Sequence, residues 1–219
     1  LEDGIVNNPF DSTFDIFSLV GTKTPEGEIF TAEDAQTIKD IWAGCPYEGG
    51  ILWYGFTPTA SYHRVAKCEG EPLKGVMEPT TLGKFRYGIT FNPEFDVDDL
   101  TREVYVDGVL KFYHTVSQAM SATPDLSGLR KRGGKLLIMH GLDDDMVPPG
   151  CSMRYYEDVC KAEGGYEKAA EFTRYFLVPG VNHSFKGPGA NLRKDEVAIL
   201  IDWVENGVAP DSLVFTKKD

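Results

Sequence analysis

The chain has 219 residues, 42% of them hydrophobic and 12% aromatic, with a formal net charge of −12. That is an ordinary globular composition, and so acidic a chain argues against nucleic acid as a partner, since phosphate binding needs clustered Lys and Arg. No apolar run approaches the roughly 20 residues that span a bilayer, and the opening LEDGIVNNP has neither the basic nor the apolar region of a signal peptide. It also lacks Met and opens inside a polar turn, so a natural start is not expected there. The four cysteines, Cys45, Cys68, Cys151 and Cys160, have no zinc-like CxxC spacing. In a helix Cys151 and Cys160 would lie about 13 Å apart along the axis, too far for a disulfide. Spacing leaves Cys45 with Cys68 open.

Residues 1–30 read as irregular, with turns at Asp3-Gly4, Asn7-Asn8-Pro9 and Pro25-Glu26-Gly27. Thr31, with Asp34 in capping-box position, starts a helix whose stripe is Ala35, Ile38, Ile41 and Trp42 and whose stop is Gly44. Residues 45–95 are rich in Gly, Pro and aromatics without a long period. Such rings form either a small core under loops or the wall of a pocket for a flat substrate. Residues 97–123 are ambiguous, and Val106–Tyr113 fits a strand or part of a helix.

Behind Gly133-Gly134, Lys135–Met139 reads as a buried strand ending in His140-Gly141 and the carboxylates Asp143, Asp144 and Asp145. Residues 152–163 follow as a helix with Ser152 as N-cap, then a polar stretch over 165–171. Phe172–Val178 is a second strand, ending in Pro179-Gly180, with His183 just beyond. The clearest helix spans Arg193–Asn206, with Val197, Leu200, Ile201 and Val204 as its apolar face and Gly207 as its end. Two unlike units result: an irregular, aromatic-rich one at 1–123 and an α/β one at 124–219. Two strands are too few for a complete doubly wound sheet.

Strand, acid loop, helix, strand, His loop is the closing part of an α/β-hydrolase, where the triad runs Ser, then Asp or Glu, then His. Asp144 and His183 are the expected acid and base, on loops at the carboxyl ends of adjacent strands. Asp143 and Asp145 are the competing acids, and His140 is expected to be structural. No nucleophile is found upstream. Gly150-Cys151-Ser152-Met153-Arg154 is a decoy: two prolines precede it, Arg154 stands where a Gly is needed, and Ser152 follows the acid.

The segments PDLSGLRKRGGKLLIMHGLDDDMVPP, YFLVPGVNHSFKGPG and DWVENGVAPDSLV resemble the C-terminal part of the tannase/feruloyl esterase family. The resemblance covers most of the chain. It implies an α/β-hydrolase with a lid inserted between nucleophile and acid, so that 1–123 is a partial lid and 124–219 the C-terminal part of the catalytic domain. In the family's HG..D pattern the acid stands four residues after His140, which favours Asp144 over its neighbours. The resemblance further implies a secreted serine-type ester hydrolase acting on small aromatic esters of feruloyl or galloyl type. It implies no cofactor for catalysis, and a partner part, N-terminal, that carries the Ser. Leu1–Val6 resembles the second half of the family's lid calcium loop, which would make Asp3 a carboxylate ligand and Ile5 a carbonyl ligand of a structural calcium. Two departures stand out. Ser184 occupies the place of a Cys that the family bridges to one beside the nucleophile, and the lid cysteines usual near the start are missing around Phe10–Leu19. The rival readings are a non-catalytic binding module of the same fold and a different α/β-hydrolase.

Overall fold

The computed structural model describes residues 3–63, 67–70, 74–120, 123–192 and 195–217, with the backbone alone for 113–120. Short 3₁₀ turns at Pro9–Asp11 and Ile16–Leu19 precede α1 (Ala32–Ala43). Helix α1 starts in the expected capping box, Thr31 Oγ1 accepting the Asp34 N–H and the Asp34 carboxylate accepting the Thr31 N–H, and ends at Gly44, whose φ of 74° suits a residue without Cβ. Then come the short strands β1 (Cys45–Tyr47), β2 (Gly50–Trp53), β3 (Cys68–Glu69) and β4 (Lys74–Gly75), and the helices α2 (Pro79–Lys84) and α3 (Arg102–Met120). The segment that the sequence left between strand and helix lies inside α3. The remaining elements are α4 (Ser127–Lys131), β5 (Leu136–Gly141), α5 (Pro149–Ala162), α6 (Tyr166–Ala170), β6 (Thr173–Val178), β7 (Asn191–Leu192), α7 (Glu196–Asn206) and β8 (Phe215–Thr216). Helix α6 occupies what the sequence suggested was only a polar stretch.

Contacts divide the chain differently from the expected 1–123 and 124–219. One unit comprises residues 1–45, 53–60 and 123–219, the other residues 46–52 and 61–122. The first two segments of the supposed lid belong with the α/β part for concrete reasons. Gly55 passes so close to α1 that a Cβ on it would stand 1.8 Å from the Trp42 carbonyl oxygen. The Phe56 N–H donates to the Ile41 carbonyl, and the Thr57 hydroxyl donates to the Leu142 carbonyl at 2.6 Å.

In this larger unit the core is built from Phe56, Val159, Phe172, Val178, Val181, Ile199 and Trp203, all buried. Strands β5 and β6 run parallel in unbroken register, from Leu136 opposite Thr173 to Gly141 opposite Val178. Parallel pairing needs a crossover connection, here α5 and α6, and it delivers both strand ends to one side. Helix α7 departs from expectation. It begins at Glu196 with Asp195 as N-cap, and it buries Ile199 and Trp203. Lys135 and Arg174 lie over the Trp203 ring at 5.3 and 5.0 Å, which is cation–π distance. The expected face is largely open, with Val197, Ile201 and Val204 49–58% exposed.

The smaller unit has a core of its own. Phe85 and Phe95 are buried and stack at 5.3 Å, and Tyr105 lies parallel to Phe85 at 6.2 Å. These rings follow the small-core reading of the aromatic stretch, whereas Tyr87 and Phe91 face solvent. None of the four cysteines is in a disulfide, so the Cys45–Cys68 bridge that spacing left open is not formed.

Candidate active site

The site is built where β5 and β6 end. At the end of β5 the chain must turn against the loop after β6, and the approach is close enough that a Cβ on Gly141 would sit 2.2 Å from the Val181 carbonyl oxygen. Two backbone hydrogen bonds then tie the loops together: Leu142 N–H to Val178 O at 2.8 Å and Asp143 N–H to Val181 O at 2.9 Å. The acid loop and the His loop therefore share one scaffold.

Asp144 is buried, and both of its oxygens are engaged. Oδ1 accepts the backbone N–H groups of Met146 and Val147, each at 2.8 Å. Oδ2 accepts from His183 Nδ1 at 3.1 Å, and His140 Nε2 stands 3.2 Å from the same oxygen. Burial pushes the Asp144 pKa up. The donors, His140 first, then Val147, Met146 and His183, outweigh it and hold the carboxyl at about 2. Asp144 is therefore an anion at neutral pH. Asp143 differs: its Oδ1 accepts the Thr59 hydroxyl, and burial raises its pKa. Asp145 is also buried. Of the three candidate acids, Asp144 is the one in hydrogen-bond contact with His183.

His183 is presented by a loop that Asn182 shapes. The Asn182 side-chain oxygen accepts the N–H groups of Ser184 and Lys186, both at 3.0 Å, the local turn for which Asn is suited. Gly180 adopts φ 69°, and Phe185 holds the left-handed φ of 53°. With Nδ1 donating to Asp144, the neutral imidazole carries its lone pair on Nε2, the arrangement a general base requires. A pocket of about 230 Å³ lies here, lined by His140, Asp144, Val147, Asn182, His183 and Phe185 among others. A larger groove of about 410 Å³ is lined by Leu192, Ile199, Val208, Leu213 and Val214, with Asp202, Pro210 and Ser212. It holds no imidazole, so the smaller pocket is the one equipped for chemistry.

Ser152 is not the N-cap of α5; that position is Pro148. It sits inside the first turn, where its Oγ lies 2.6 Å from His140 Nδ1, 2.8 Å from the Tyr175 hydroxyl and 3.0 Å from the Pro149 carbonyl. Its hydroxyl is thus occupied on the far side of His140. Position in a helical turn, rather than on a strand-to-helix elbow, keeps it from the nucleophile's geometry. This Ser152–His140–Tyr175 network was missed by the sequence reading, because its members lie on three elements and no spacing connects them.

Asp3 Oδ1 accepts the Ile5 N–H at 2.9 Å, an ordinary Asx turn. No group of three or more His, Cys, Asp or Glu side chains able to hold a metal occurs among the described residues. One carboxylate and one carbonyl fall short of the six to eight oxygens calcium takes, so the residues present do not by themselves fit that ion. Among the described residues no helix is long and apolar enough to cross a membrane.

A family model for tannase and feruloyl esterase matches residues 1–219. A probable feruloyl esterase of Arthroderma benhamiae is 32% identical over 232 residues, covering 100% of this chain and 42% of that protein. The crystal structure of feruloyl esterase B from Aspergillus oryzae superposes with a TM-score of 0.81 at 22% identity, over 100% of this chain and 46% of that one. The tannin acyl hydrolase from Aspergillus niger gives 0.77 at 22% identity, over 98% of this chain and 44% of that one. The chain thus spans under half the length of the relatives it matches. By the match along its whole length, the chain belongs to the tannase and feruloyl esterase family.

Proposed function

We propose that the protein to which these residues belong hydrolyses carboxylic esters of aromatic acids, of feruloyl or galloyl type, by a Ser-His-Asp mechanism whose serine lies outside this chain. The observation that carries the reading is the contact of His183 Nδ1 with the buried, ionised Asp144 at the ends of two parallel strands. In that mechanism His183 Nε2 takes the serine proton as the serine oxygen bonds to the ester carbonyl carbon. Asp144 stabilises the imidazolium that forms. The Nε2 proton then passes to the departing alcohol oxygen as the ester C–O bond breaks. Water, deprotonated by the same nitrogen, cleaves the acyl-enzyme and returns the serine. The aromatic acyl preference rests on the family's named members. Secretion belongs to the same proposal. So does a structural calcium at Asp3 and Ile5 that takes its remaining ligands from outside these residues.

The test is turnover of methyl ferulate and methyl gallate by the full-length protein. The proposal expects hydrolysis of at least one, with kcat reduced about 10³–10⁴-fold in His183→Ala. No turnover of either ester would favour the non-catalytic module. Turnover that His183→Ala leaves intact would remove His183 from the mechanism.

A further inference from the structure

His140 is a nearly buried histidine, its side chain 12% exposed, to which the mechanism above gives no role. Its bonding partners fix its state. The Val147 carbonyl, 3.0 Å from Nε2, can only accept, so Nε2 carries a proton. The same nitrogen stands 3.2 Å from Asp144 Oδ2, the oxygen that also receives His183 Nδ1. His140 Nδ1 lies 2.6 Å from Ser152 Oγ, whose hydroxyl donates to the Pro149 carbonyl at 3.0 Å. Ser152 Oγ in turn accepts from the Tyr175 hydroxyl at 2.8 Å. Burial raises the Tyr175 pKa, which keeps that hydroxyl a donor. The ring is thus held from β6 and α5 with Nε2 beside the candidate acid.

We propose that His140 is a positioning residue for ester hydrolysis: by sharing Asp144 Oδ2 with His183, its Nε2–H holds the acid in place and moderates the basicity that Asp144 confers on His183. The proposal rests on the Asp144–His183 reading. The physical cause is the division of one carboxylate charge between two imidazole donors. Without the His140 donor, the full charge of Asp144 acts on His183, and the imidazolium is favoured to higher pH. The other titratable groups around these two rings are Asp143 and Asp145 on the acid loop, Cys151 on α5 and Tyr175 on β6.

The experiment compares His140→Leu, His140→Gln and Ser152→Ala in the full-length protein, following kcat, KM and the acid limb of kcat/KM against pH. Gln keeps an N–H near the position of Nε2, whereas Leu keeps only bulk. His140→Leu is expected to lower kcat about 10–100-fold with KM changed less than about twofold, and to move the acid limb up by about half a pH unit or more. His140→Gln should restore most of the kcat and the wild-type limb. Ser152→Ala, which frees the ring at Nδ1, should move both readouts the same way by less, and it carries the test should His140→Leu fail to fold. Unchanged limbs in Leu and Ala variants that remain folded would overturn the proposal, as would equal losses in Leu and Gln. A full-activity His183→Ala would instead overturn the underlying reading, so the two failures are distinguishable.

Discussion

Asp144 differs from Asp143 in what it bonds: His183 and two backbone N–H groups rather than the Thr59 hydroxyl. Three N–H donors bond its oxygens and His140 Nε2 stands 3.2 Å from Oδ2, so its carboxyl falls from 3.8 to about 2. A carboxyl whose folded pKa is depressed adds stability that is complete above its unfolded pKa and lost as pH falls through the folded value. The contribution here is roughly 2 kcal/mol, fading between about pH 4 and pH 2. Asp143, raised by burial, acts in the opposite sense and offsets part of it. The expected outcome is that the stability advantage of the wild-type protein over Asp144→Asn, read from denaturant midpoints, shrinks as pH falls from 5 towards 2. In turnover Asp144→Asn should cost about 10³–10⁴-fold in kcat, because it presents the wrong tautomer to His183. Asp143→Asn should cost less than about threefold, its carboxylate being turned to Thr59. A larger loss in Asp143→Asn than in Asp144→Asn would place the acid on the wrong residue. The contact of Asp144 with His183 was legible because both residues follow strands. His140's partners were not, since they converge only after β5, α5 and β6 have packed.

At the level of elements, the parallel pair β5–β6 sets the geometry, and Gly141 is its tightest point. A Cβ there would press on the Val181 carbonyl, so Gly141→Ala must push the His loop away from the acid loop. Overpacking of this kind costs about 1–3 kcal/mol. It should appear as a lowered denaturant midpoint together with a fall in kcat, and an unchanged kcat would mean that the His loop does not depend on this contact. Strands, α1 and its capping box were readable because each carries a local signal: Gly-Gly before β5, Thr31 with Asp34, Gly44 at the end. The extent of α3 was not, since Val106–Tyr113 alternates well enough for either state and only packing decides. Helix α7 misled for a related reason. It carries two apolar faces, and the one that buries Trp203 is chosen by Lys135 and Arg174 lying over the ring, residues far away in sequence.

For the molecule as a whole, the division at residues 46–52 and 61–122 was hidden from composition, because residues 53–60 share the aromatic character of residues 61–95 yet hydrogen-bond to the acid loop through Thr57. Among the described residues Asp144 meets His183, and no serine stands on a strand-to-helix elbow. Purified alone, this stretch is therefore expected to leave simple aryl esters uncleaved; turnover that disappears in Ser152→Ala would give Ser152 the role denied to it here. The central claim is that Asp144 and His183 serve a serine elsewhere in the protein. Labelling the full-length protein with a fluorophosphonate and mapping the modified peptide tests it most directly. The account predicts one labelled serine, outside residues 1–219, with labelling abolished in His183→Ala; a label on Ser152 or any other serine of this chain, or labelling that survives His183→Ala, would contradict it.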